Sequence, residues 1–167
     1  MIITYFVNDI PFFMISPYIQ KIREKIGHDF LLLPSVTILV FDAEKKVMLV
    51  RHSDSNVWVA PGGMIEPDET PAQAAIREMQ EETGCIVYLT AILGVYGGPE
   101  FQVQYQNGDK TGYVMIVFQA EISIGELKPD GNEILDIQFF TFEETKTLPQ
   151  GKWLPSVLND IYTNKRI

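Results

Sequence analysis

The sequence predicts an α+β fold, an α/β/α sandwich in which a few helices pack on a mixed β-sheet. The chain has 167 residues, of which 46% are hydrophobic and 21% are charged, a composition that fits one domain with a sizeable core. Apolar, β-branched runs recur between turn residues, and fewer segments have helical periodicity. Because no repeat, low-complexity tract or linker divides the chain, we expect a single domain over 1–167, with an N-terminal extension (1–34), a core (35–150) and a C-terminal helix (151–167).

The N-terminal extension is predicted to contain a strand at 2–7 and a helix at Pro17–Ile26. The isoleucines of this helix repeat at helical spacing, and Gly27 follows as a stop. Residues 2–15 are apolar, but polar residues interrupt them and no basic residue precedes them, so they do not fit a signal peptide. No run is long enough to span a bilayer. We therefore expect a cytoplasmic protein that does not bind membranes.

The core begins with two apolar runs, 35–41 and 46–52, which are separated by the polar turn 42–45. This pattern predicts a β-hairpin. A third short strand at 57–59 leads into Pro61-Gly62-Gly63, where glycines allow the backbone to turn sharply and to approach a ligand closely.

The central helix is predicted at Pro71–Thr83. Thr70 is a good N-cap and Gln73 completes a capping box with it, while the proline suits the first helical position. Gly84 ends the helix.

The second half of the core is predicted to be mainly β-structure. Asn107-Gly108 favours a tight hairpin between two of the strands. The predicted strands are 86–96, 101–106, 112–121 and 137–141, followed by a helical turn at 142–146 and a helix at 156–164.

The net charge of −9 makes the chain a poor candidate for gripping a nucleic-acid backbone, which needs clustered Lys and Arg. Phosphate groups can still bind if a divalent cation neutralises the local charge. Cys85 is the only cysteine, so neither an internal disulfide nor a cysteine-based zinc site is expected. A single cysteine suits a reducing compartment.

On a helical wheel, the central helix has an apolar stripe on one side and an acidic side opposite to it. The stripe consists of Ala72, Ile76, Met79 and Thr83, and the acids are Glu78, Glu81 and Glu82. Three like charges in five residues repel one another, and a hard divalent cation such as Mg²⁺ or Mn²⁺ would offset this repulsion. An acidic, solvated surface of the helix is the alternative interpretation.

The spacing of these residues is more specific than their clustering. Five residues separate Gly63 from Glu69, and seven residues separate Glu69 from the run Arg77-Glu78-Met79-Gln80-Glu81-Glu82-Thr83-Gly84-Cys85. This pattern resembles the Nudix box of the Nudix hydrolase family. Met79 and Cys85 stand where the family prefers Ile, Leu or Val, and both are apolar. The resemblance extends over about residues 35–150, including the approach 58–63 to the box.

The resemblance implies hydrolysis of a pyrophosphate bond in a nucleoside diphosphate joined to another group. It implies that Glu78, Glu81 and Glu82 bind Mg²⁺ or Mn²⁺, together with a backbone carbonyl of Gly62. For the general base, Glu78 is the first candidate and Glu133 the second. Glu81 is included among the catalytic residues.

Other box residues have structural roles according to the same resemblance. Gly63 and Gly84 belong to the turns at the two ends of the box. Arg77 pairs with Glu69 and holds the loop against the helix.

Candidates for substrate binding follow from position and residue type. Arg51 ends its strand and could meet a phosphate, and Glu100 lies in the loop 97–100, as a third candidate for the base. Six aromatic residues are candidates for stacking on a base: Trp58, Phe101, Tyr105 and Tyr113, with Tyr96 and Phe139 as equal alternatives. Aromatic residues in strands are more often core residues, and this alternative stays open for each of them.

ADP-ribose or a related nucleoside diphosphate sugar is the favoured substrate, because Pro99 lies near the position of a proline that marks many ADP-ribose pyrophosphatases. Nucleoside tri- or diphosphates are the alternative. A nucleotide sensor that does not cleave its ligand is an alternative of another class, which the retained acids of the box disfavour. We expect a small-molecule nucleotide as partner and no nucleic acid, and the extra N-terminal elements are compatible with a homodimer.

Overall fold

The computed structural model describes residues 16–164, so the strand predicted at 2–7 lies outside the described residues. The helices are α1 (Pro17–Ile26), α2 (Pro71–Thr83), α3 (Phe142–Thr145) and α4 (Leu154–Tyr162). The strands are β1 (Leu31–Val40), β2 (Val47–His52), β3 (Trp58–Val59), β4 (Gly62–Met64), β5 (Ile86–Tyr96), β6 (Gln102–Gln104), β7 (Lys110–Ile124) and β8 (Ile134–Phe140). The predicted positions of these elements are confirmed to within a few residues at most ends.

The strands form a larger and a smaller sheet. The larger has the order β4-β1-β7-β5, with β6 also paired to β7, and the smaller has the order β3-β2-β8. Strands β1 and β7 are parallel, whereas the other pairs are antiparallel. The predicted mixed sheet and α+β sandwich are therefore confirmed.

The hairpin predicted from the runs 35–41 and 46–52 is reduced to one antiparallel bridge, between Phe41 and Val47. Strand β1 pairs with β4 and β7, and β2 pairs with β3 and β8, so the two runs belong to different sheets. Both strands are buried along most of their length, and each lies inside its sheet with a neighbour on either side. The hairpin predicted around Asn107-Gly108 is present as β6 and β7.

The core consists of two clusters on opposite faces of β1. One contains Leu39, Leu49 and Val117 and packs against α4 through Leu154 and Leu158. The other lies beneath α2, and its members include Val36, Ile38, Met48, Ala75, Met79 and Phe118. None of the helices that the structure describes has the length and apolar character needed to cross a membrane.

Candidate active site

Helix α2 begins and ends as its sequence predicts. The Thr70 side chain accepts a hydrogen bond from the backbone N–H of Gln73, and the Gln73 side chain accepts one from the backbone N–H of Thr70 at 2.8 Å. Gly84 follows the helix in the left-handed conformation, with φ of 74°. The local sequence therefore fixes where this helix lies along the chain.

Arg77 joins the loop before α2 to the helix. Its Nη2 donates to Glu69 Oε1 at 2.6 Å and its Nε donates to Glu69 Oε2 at 3.0 Å, which is the predicted pairing in a bidentate form. Nη2 also donates to the carbonyl of Met64 at 3.1 Å. The hydrogen bonds from Arg77 hold the pKa of Glu69 below its ordinary value. The guanidinium thus ties β4 and the loop to α2.

The same guanidinium contacts two further acids of α2. Nη1 of Arg77 lies 2.8 Å from Glu78 Oε1 and 3.0 Å from Glu81 Oε2. One cation is therefore shared among three carboxylates. The side chain of Glu81 is 59% exposed, so it can leave this contact at little cost.

Glu78 lies against the glycine turn of β4. A side chain at Gly63 would overlap the Glu78 carboxylate, and a side chain at Gly62 would overlap the carbonyl of Val36. Gly62 has φ of 155°, a conformation that other residues rarely adopt. Both glycines are therefore needed for the close approach of β4 to the helix and to β1.

Burial raises the pKa of Glu78 to about 7, although the charge and hydrogen bond of Arg77 act in the opposite direction. The neighbouring acids Glu81 and Glu133 raise it further. A carboxyl group with this pKa exchanges its proton near neutral pH, as a general base does.

Glu82 is the most deeply buried acid of the helix, with 4% of its surface exposed. Burial raises its pKa well above the ordinary value, and Glu78, Glu133 and Asp130 act in the same direction, against a backbone hydrogen bond from Gly62. Its Oε2 has no hydrogen-bond partner among residues 16–164. A buried carboxylate oxygen of this kind fits a site for a cation.

The wheel is wrong about the direction of this side chain. It puts Glu82 opposite the apolar stripe, and it puts Ala72 within the stripe, but the structure buries Glu82 and exposes Ala72. Glu82 faces β4 and the loops around Asp130 and Glu133 instead of solvent. We call Glu78, Glu81 and Glu82, together with Gly62 and Gly63, the acidic edge.

Two loops of the smaller sheet close in on the acidic edge. The backbone N–H of Ser53 donates to the carbonyl of Glu133 at 2.9 Å, and Ser53 Oγ donates to the carbonyl of Asn132 at 2.8 Å. Burial, the largest cause, raises the pKa of Glu133, and Asp130, Asp54 and Glu81 raise it further. The structure therefore brings the second base candidate to the edge that carries the first.

Neither Asp54 nor Asp130 is singled out by the sequence, yet both act on Glu133. Each lies in a short polar loop, which from sequence is indistinguishable from a solvated turn. Asp130 accepts hydrogen bonds from the backbone N–H groups of Asn132, Glu133 and Ile134, so it shapes the loop that carries Glu133. His52 nearby has its pKa lowered by burial, and the same two aspartates oppose that shift.

The predicted substrate-binding residues do not gather in one place. Trp58 and Tyr96 are buried in the core cluster beside α4, whereas Phe139 packs against the cluster beneath α2. Glu100 lies in an exposed turn 3.4 Å from Ser156 Oγ. The positions of Trp58, Tyr96 and Phe139 agree with the alternative interpretation, in which aromatic residues in strands belong to the core.

Arg51 is engaged by its own neighbours. Its Nη1 donates to Asn56 Oδ1 at 3.0 Å, and its Nη2 lies 3.8 Å from Asp136 Oδ2. The guanidinium carbon lies 5.8 Å from the centre of the Trp58 ring. Its Nε is buried without a hydrogen-bond partner among the described residues. A role in phosphate binding stays a prediction.

In the described part of the chain, no three His, Cys, Asp or Glu side chains are placed together as a ready set of metal ligands. The contacts of Arg77 account for this arrangement, because its Nη1 engages oxygens of both Glu78 and Glu81. The orphaned oxygen of Glu82 and the exposed side chain of Glu81 nevertheless fit a site that would hold a divalent ion.

Comparison with known proteins gives a consistent result. The sequence pattern of the NUDIX domain family matches residues 31–160. A protein of Bacillus subtilis provisionally named 8-oxo-dGTP diphosphatase is 31% identical over 102 residues, which cover 61% of this chain and 62% of that protein. A Methanocaldococcus jannaschii protein named ADP-ribose pyrophosphatase is 32% identical over 130 residues, which cover 75% of this chain and 72% of that protein.

A solved structure described as a UDP-X diphosphatase has the same fold. It superposes with a TM-score of 0.65 at 25% identity, over 92% of this chain and 73% of that one. The matches thus leave between a quarter and two fifths of each relative's own length uncovered.

Proposed function

The chain belongs to the Nudix hydrolase family, and on that premise we propose that it hydrolyses the pyrophosphate bond of a nucleoside diphosphate joined to a second group. One observation carries the proposal: the largely buried Glu78 and the buried Glu82 lie against the glycine turn of β4. One oxygen of Glu82 has no partner among the described residues. Such a cluster of carboxylates is poorly suited to stability alone, because each buried charge costs free energy.

Nudix hydrolases generally use divalent metal ions, and we propose Mg²⁺ or Mn²⁺ for this chain. Glu78, Glu81 and Glu82 would hold the ion, with the backbone carbonyl of Gly62 as a further oxygen ligand. Such an ion neutralises the charge of the pyrophosphate and lowers the pKa of a coordinated water.

The remaining roles belong to residues of the chain itself. Arg77 positions Glu78 and the β4 turn relative to one another through its contacts with Glu69 and the Met64 carbonyl. Glu78 is the first candidate for the base that accepts the proton of the attacking water, and Glu133 is the second. Glu133 has the advantage that it does not contact Arg77, so its oxygens stay available for a proton.

For the substrate, we propose ADP-ribose or a related nucleoside diphosphate sugar. The names of the Methanocaldococcus jannaschii relative and of the UDP-X diphosphatase both describe compounds of this class. The Bacillus subtilis relative favours nucleoside triphosphates as the second candidate.

The deciding experiment is a hydrolysis screen of the purified chain with Mg²⁺ or Mn²⁺, in which chromatography separates the nucleoside monophosphate product from each substrate. The panel contains ADP-ribose, UDP-sugars, dinucleoside polyphosphates, NADH and nucleoside triphosphates including 8-oxo-dGTP. We expect turnover of a nucleoside diphosphate sugar and none in EDTA. Turnover of triphosphates alone selects the second candidate. Binding without turnover of any compound identifies the non-catalytic sensor instead.

We further propose that the chain is a cytoplasmic, single-domain protein. Cys85 is buried and unpaired, which agrees with a reducing compartment. Cell fractionation tests the location, limited proteolysis tests the single domain, and light scattering tests for a homodimer.

A further inference from the structure

A second group of polar side chains lies on the larger sheet, away from the carboxylates of the acidic edge. Ser35 of β1 is 5% exposed, and its Oγ has no hydrogen-bond partner among residues 16–164. A buried hydroxyl without a partner lowers stability, because it has lost its hydrogen bonds to water. Among the described residues, no hydrogen bond offsets this loss.

A pair of phenols belongs to the same group. The hydroxyls of Tyr105 and Tyr113 lie 2.7 Å apart, and either can be the donor. Since one hydroxyl donates to the other, the proton of the second remains available. Burial raises the pKa of both phenols, so both stay protonated at neutral pH. Both side chains are only partly buried, so an edge of the pair can be reached by a ligand.

The strand register places these hydroxyls close to β4, on the sheet face opposite to the one where Gly63 meets Glu78. Ser35 is paired with Met64 of β4 on one side and with Met115 of β7 on the other. Tyr113 lies two residues before Met115, so its side chain points to the same face of the sheet as Ser35. Because neighbouring strands are about 4.8 Å apart, Tyr113 lies roughly 10 Å from the β4 backbone. Because β4 is an edge strand, a nucleotide whose phosphates lie at the acidic edge can extend past β4 and bring its base to this face. The charge of Asp54, which acts on both Tyr105 and Glu133, also relates the phenols to the acidic edge.

The charges around this face disfavour a phosphate as its ligand, since Asp54 and Asp109 also act on Tyr105. Arg23 of α1 is the cation that acts on both phenols, and all three of its guanidinium nitrogens are engaged. Nη1 donates to the carbonyls of Gly27 and Asp29, Nη2 donates to the carbonyl of Lys110 and to Thr111 Oγ1, and Nε lies 3.5 Å from Asp109 Oδ2. What remains is a set of uncharged hydroxyls, which suits an uncharged ligand with donors and acceptors.

We propose that Ser35, Tyr105 and Tyr113, which we call the hydroxyl face, form the subsite that holds the nucleobase of the substrate. The serine and phenol hydroxyls hydrogen-bond to the edge of the base, and the tyrosine rings supply apolar area against its plane. This assignment rests on the proposed function, since it takes the phosphates of the substrate to lie at the acidic edge.

Calorimetric binding of AMP, GMP, CMP and UMP to the whole chain with Mg²⁺ tests the proposal, because these probes carry the base without a bond to be cleaved. We expect the wild type to prefer one of them. Ser35→Ala and Tyr113→Phe each raise the Kd of the preferred nucleotide by about three- to tenfold and reduce the preference. Tyr88→Phe is the matched control, since it removes the hydroxyl of an exposed tyrosine on β5.

Thermal unfolding separates a binding role from a structural one. Ser35→Ala removes a hydroxyl without a partner, so we expect its melting temperature to be equal to or above that of the wild type while its nucleotide affinity falls. If nucleotide affinity falls only in variants whose melting temperature also falls, the proposal is overturned. Equal binding of all four nucleotides by the wild type, or unchanged affinity in both variants, also overturns it.

Steady-state kinetics distinguishes this proposal from the proposed function. If the chain hydrolyses a nucleoside diphosphate sugar, the two variants raise KM for that substrate and leave kcat within about twofold, because the hydroxyls contact the base and not the reacting atoms. Hydrolysis with unchanged KM in both variants refutes the hydroxyl face but not the hydrolase. Base-selective binding without hydrolysis of any substrate refutes the hydrolase but not the hydroxyl face.

Discussion

The acidic edge and the hydroxyl face both adjoin the larger sheet, but their buried polar groups are stabilised differently. At the acidic edge, one guanidinium is shared among Glu69, Glu78 and Glu81, while Glu82 is buried with an oxygen that lacks a partner among the described residues. At the hydroxyl face, the hydroxyls of Tyr105 and Tyr113 pair with each other. The hydroxyl of Ser35 has no partner among the described residues.

The difference follows from the free energy of burying each kind of group. A buried carboxylate costs far more than a buried hydroxyl, so the acidic edge gains most from a cation, whereas the hydroxyl face gains from an uncharged ligand. Each region therefore has unpaired polar groups that one part of a nucleotide complex could satisfy. The phosphates and their metal ion suit the edge, and the base suits the face.

The largest effect is expected from Glu82→Gln, which removes a charge from the acidic edge and keeps the shape of the side chain. We expect kcat/KM with Mg²⁺ to fall by about a hundredfold or more. The free energy of unfolding in EDTA stays equal or rises, because the buried charge is gone. Enzyme assays and urea unfolding measure the two quantities.

Glu121→Gln is the control for this change, since Glu121 is an exposed acid of β7. It should alter neither activity nor stability. Wild-type activity in Glu82→Gln would remove this residue from the metal site, and Glu78→Gln then tests whether the site involves its neighbour.

Arg77→Ala is expected to have the next largest effect, this time on stability. It leaves Glu69 and Glu78, whose side chains are each 14% exposed, without their cation, and we expect a loss of about 2 kcal/mol in the free energy of unfolding. Arg77→Lys should recover only part of the loss, because an ammonium cannot form the bidentate contact with Glu69. Chemical denaturation of both variants measures the losses.

The pair of Lys146 and Glu143 provides a matched comparison for Arg77. Its N–O distance of 2.6 Å equals that of Arg77 and Glu69, but both side chains are at least half exposed. Lys146→Ala should therefore cost less than about 0.5 kcal/mol. Equal losses in Arg77→Ala and Lys146→Ala would contradict a supporting role of Arg77 at the acidic edge.

Asp130 should make a smaller, pH-dependent contribution beside the acidic edge. Burial raises its pKa, but backbone N–H groups of Ile134, Asn132 and Glu133 outweigh burial and hold it below the ordinary value. A lowered pKa in the folded state stabilises the protein above the unfolded pKa of about 3.9, and this stabilisation is lost as the pH falls through the folded pKa. We expect Asp130→Ala to cost about 1 kcal/mol at pH 7 and less below pH 4.

Urea unfolding of the wild type and Asp130→Ala between pH 7 and pH 3 measures this change. Glu126→Ala, at an exposed position of the preceding turn, is the control and should show no such convergence at low pH. A difference between wild type and Asp130→Ala that grows as the pH falls would have the wrong sign and would refute the role of the ionised carboxylate.

The two regions also differ in how far the sequence predicts them. The capping box of Thr70 and Gln73 and the stop at Gly84 are local interactions, so the position of α2 follows from its own residues. The fixed spacing of the box identifies the family in the same way. The burial of Glu82 does not follow, because a helical wheel contains no information on β4 or on the loops that cover that side of the helix.

The hydroxyl face is even harder to predict from the sequence alone than the burial of Glu82. It depends on the parallel pairing of β1 with β7, which brings Ser35 next to Met115 across a long stretch of chain. The apolar runs of β1 and β2 instead favour a hairpin, because strands buried on both faces carry no alternation that would identify their partners. The sequence makes Tyr105 and Tyr113 candidates for stacking on a base, but it does not separate them from ordinary core aromatics or predict that their hydroxyls pair.

The smallest expected effect is the difference in unfolding free energy between removing the hydroxyl of Thr83 and removing that of Ser35. Thr83 Oγ1 donates to the carbonyl of Met79 and accepts a hydrogen bond from the backbone N–H of Cys85, whereas Ser35 Oγ has no partner among the described residues. Thr83→Val should therefore lose about 1 kcal/mol of unfolding free energy, and Ser35→Ala should lose none or gain a few tenths. Equal losses, measured by urea unfolding without nucleotide, would mean that Ser35 stabilises the free protein. The hydroxyl of Ser35 would then need no ligand to account for it, and the contrast between the acidic edge and the hydroxyl face would rest on the phenol pair alone.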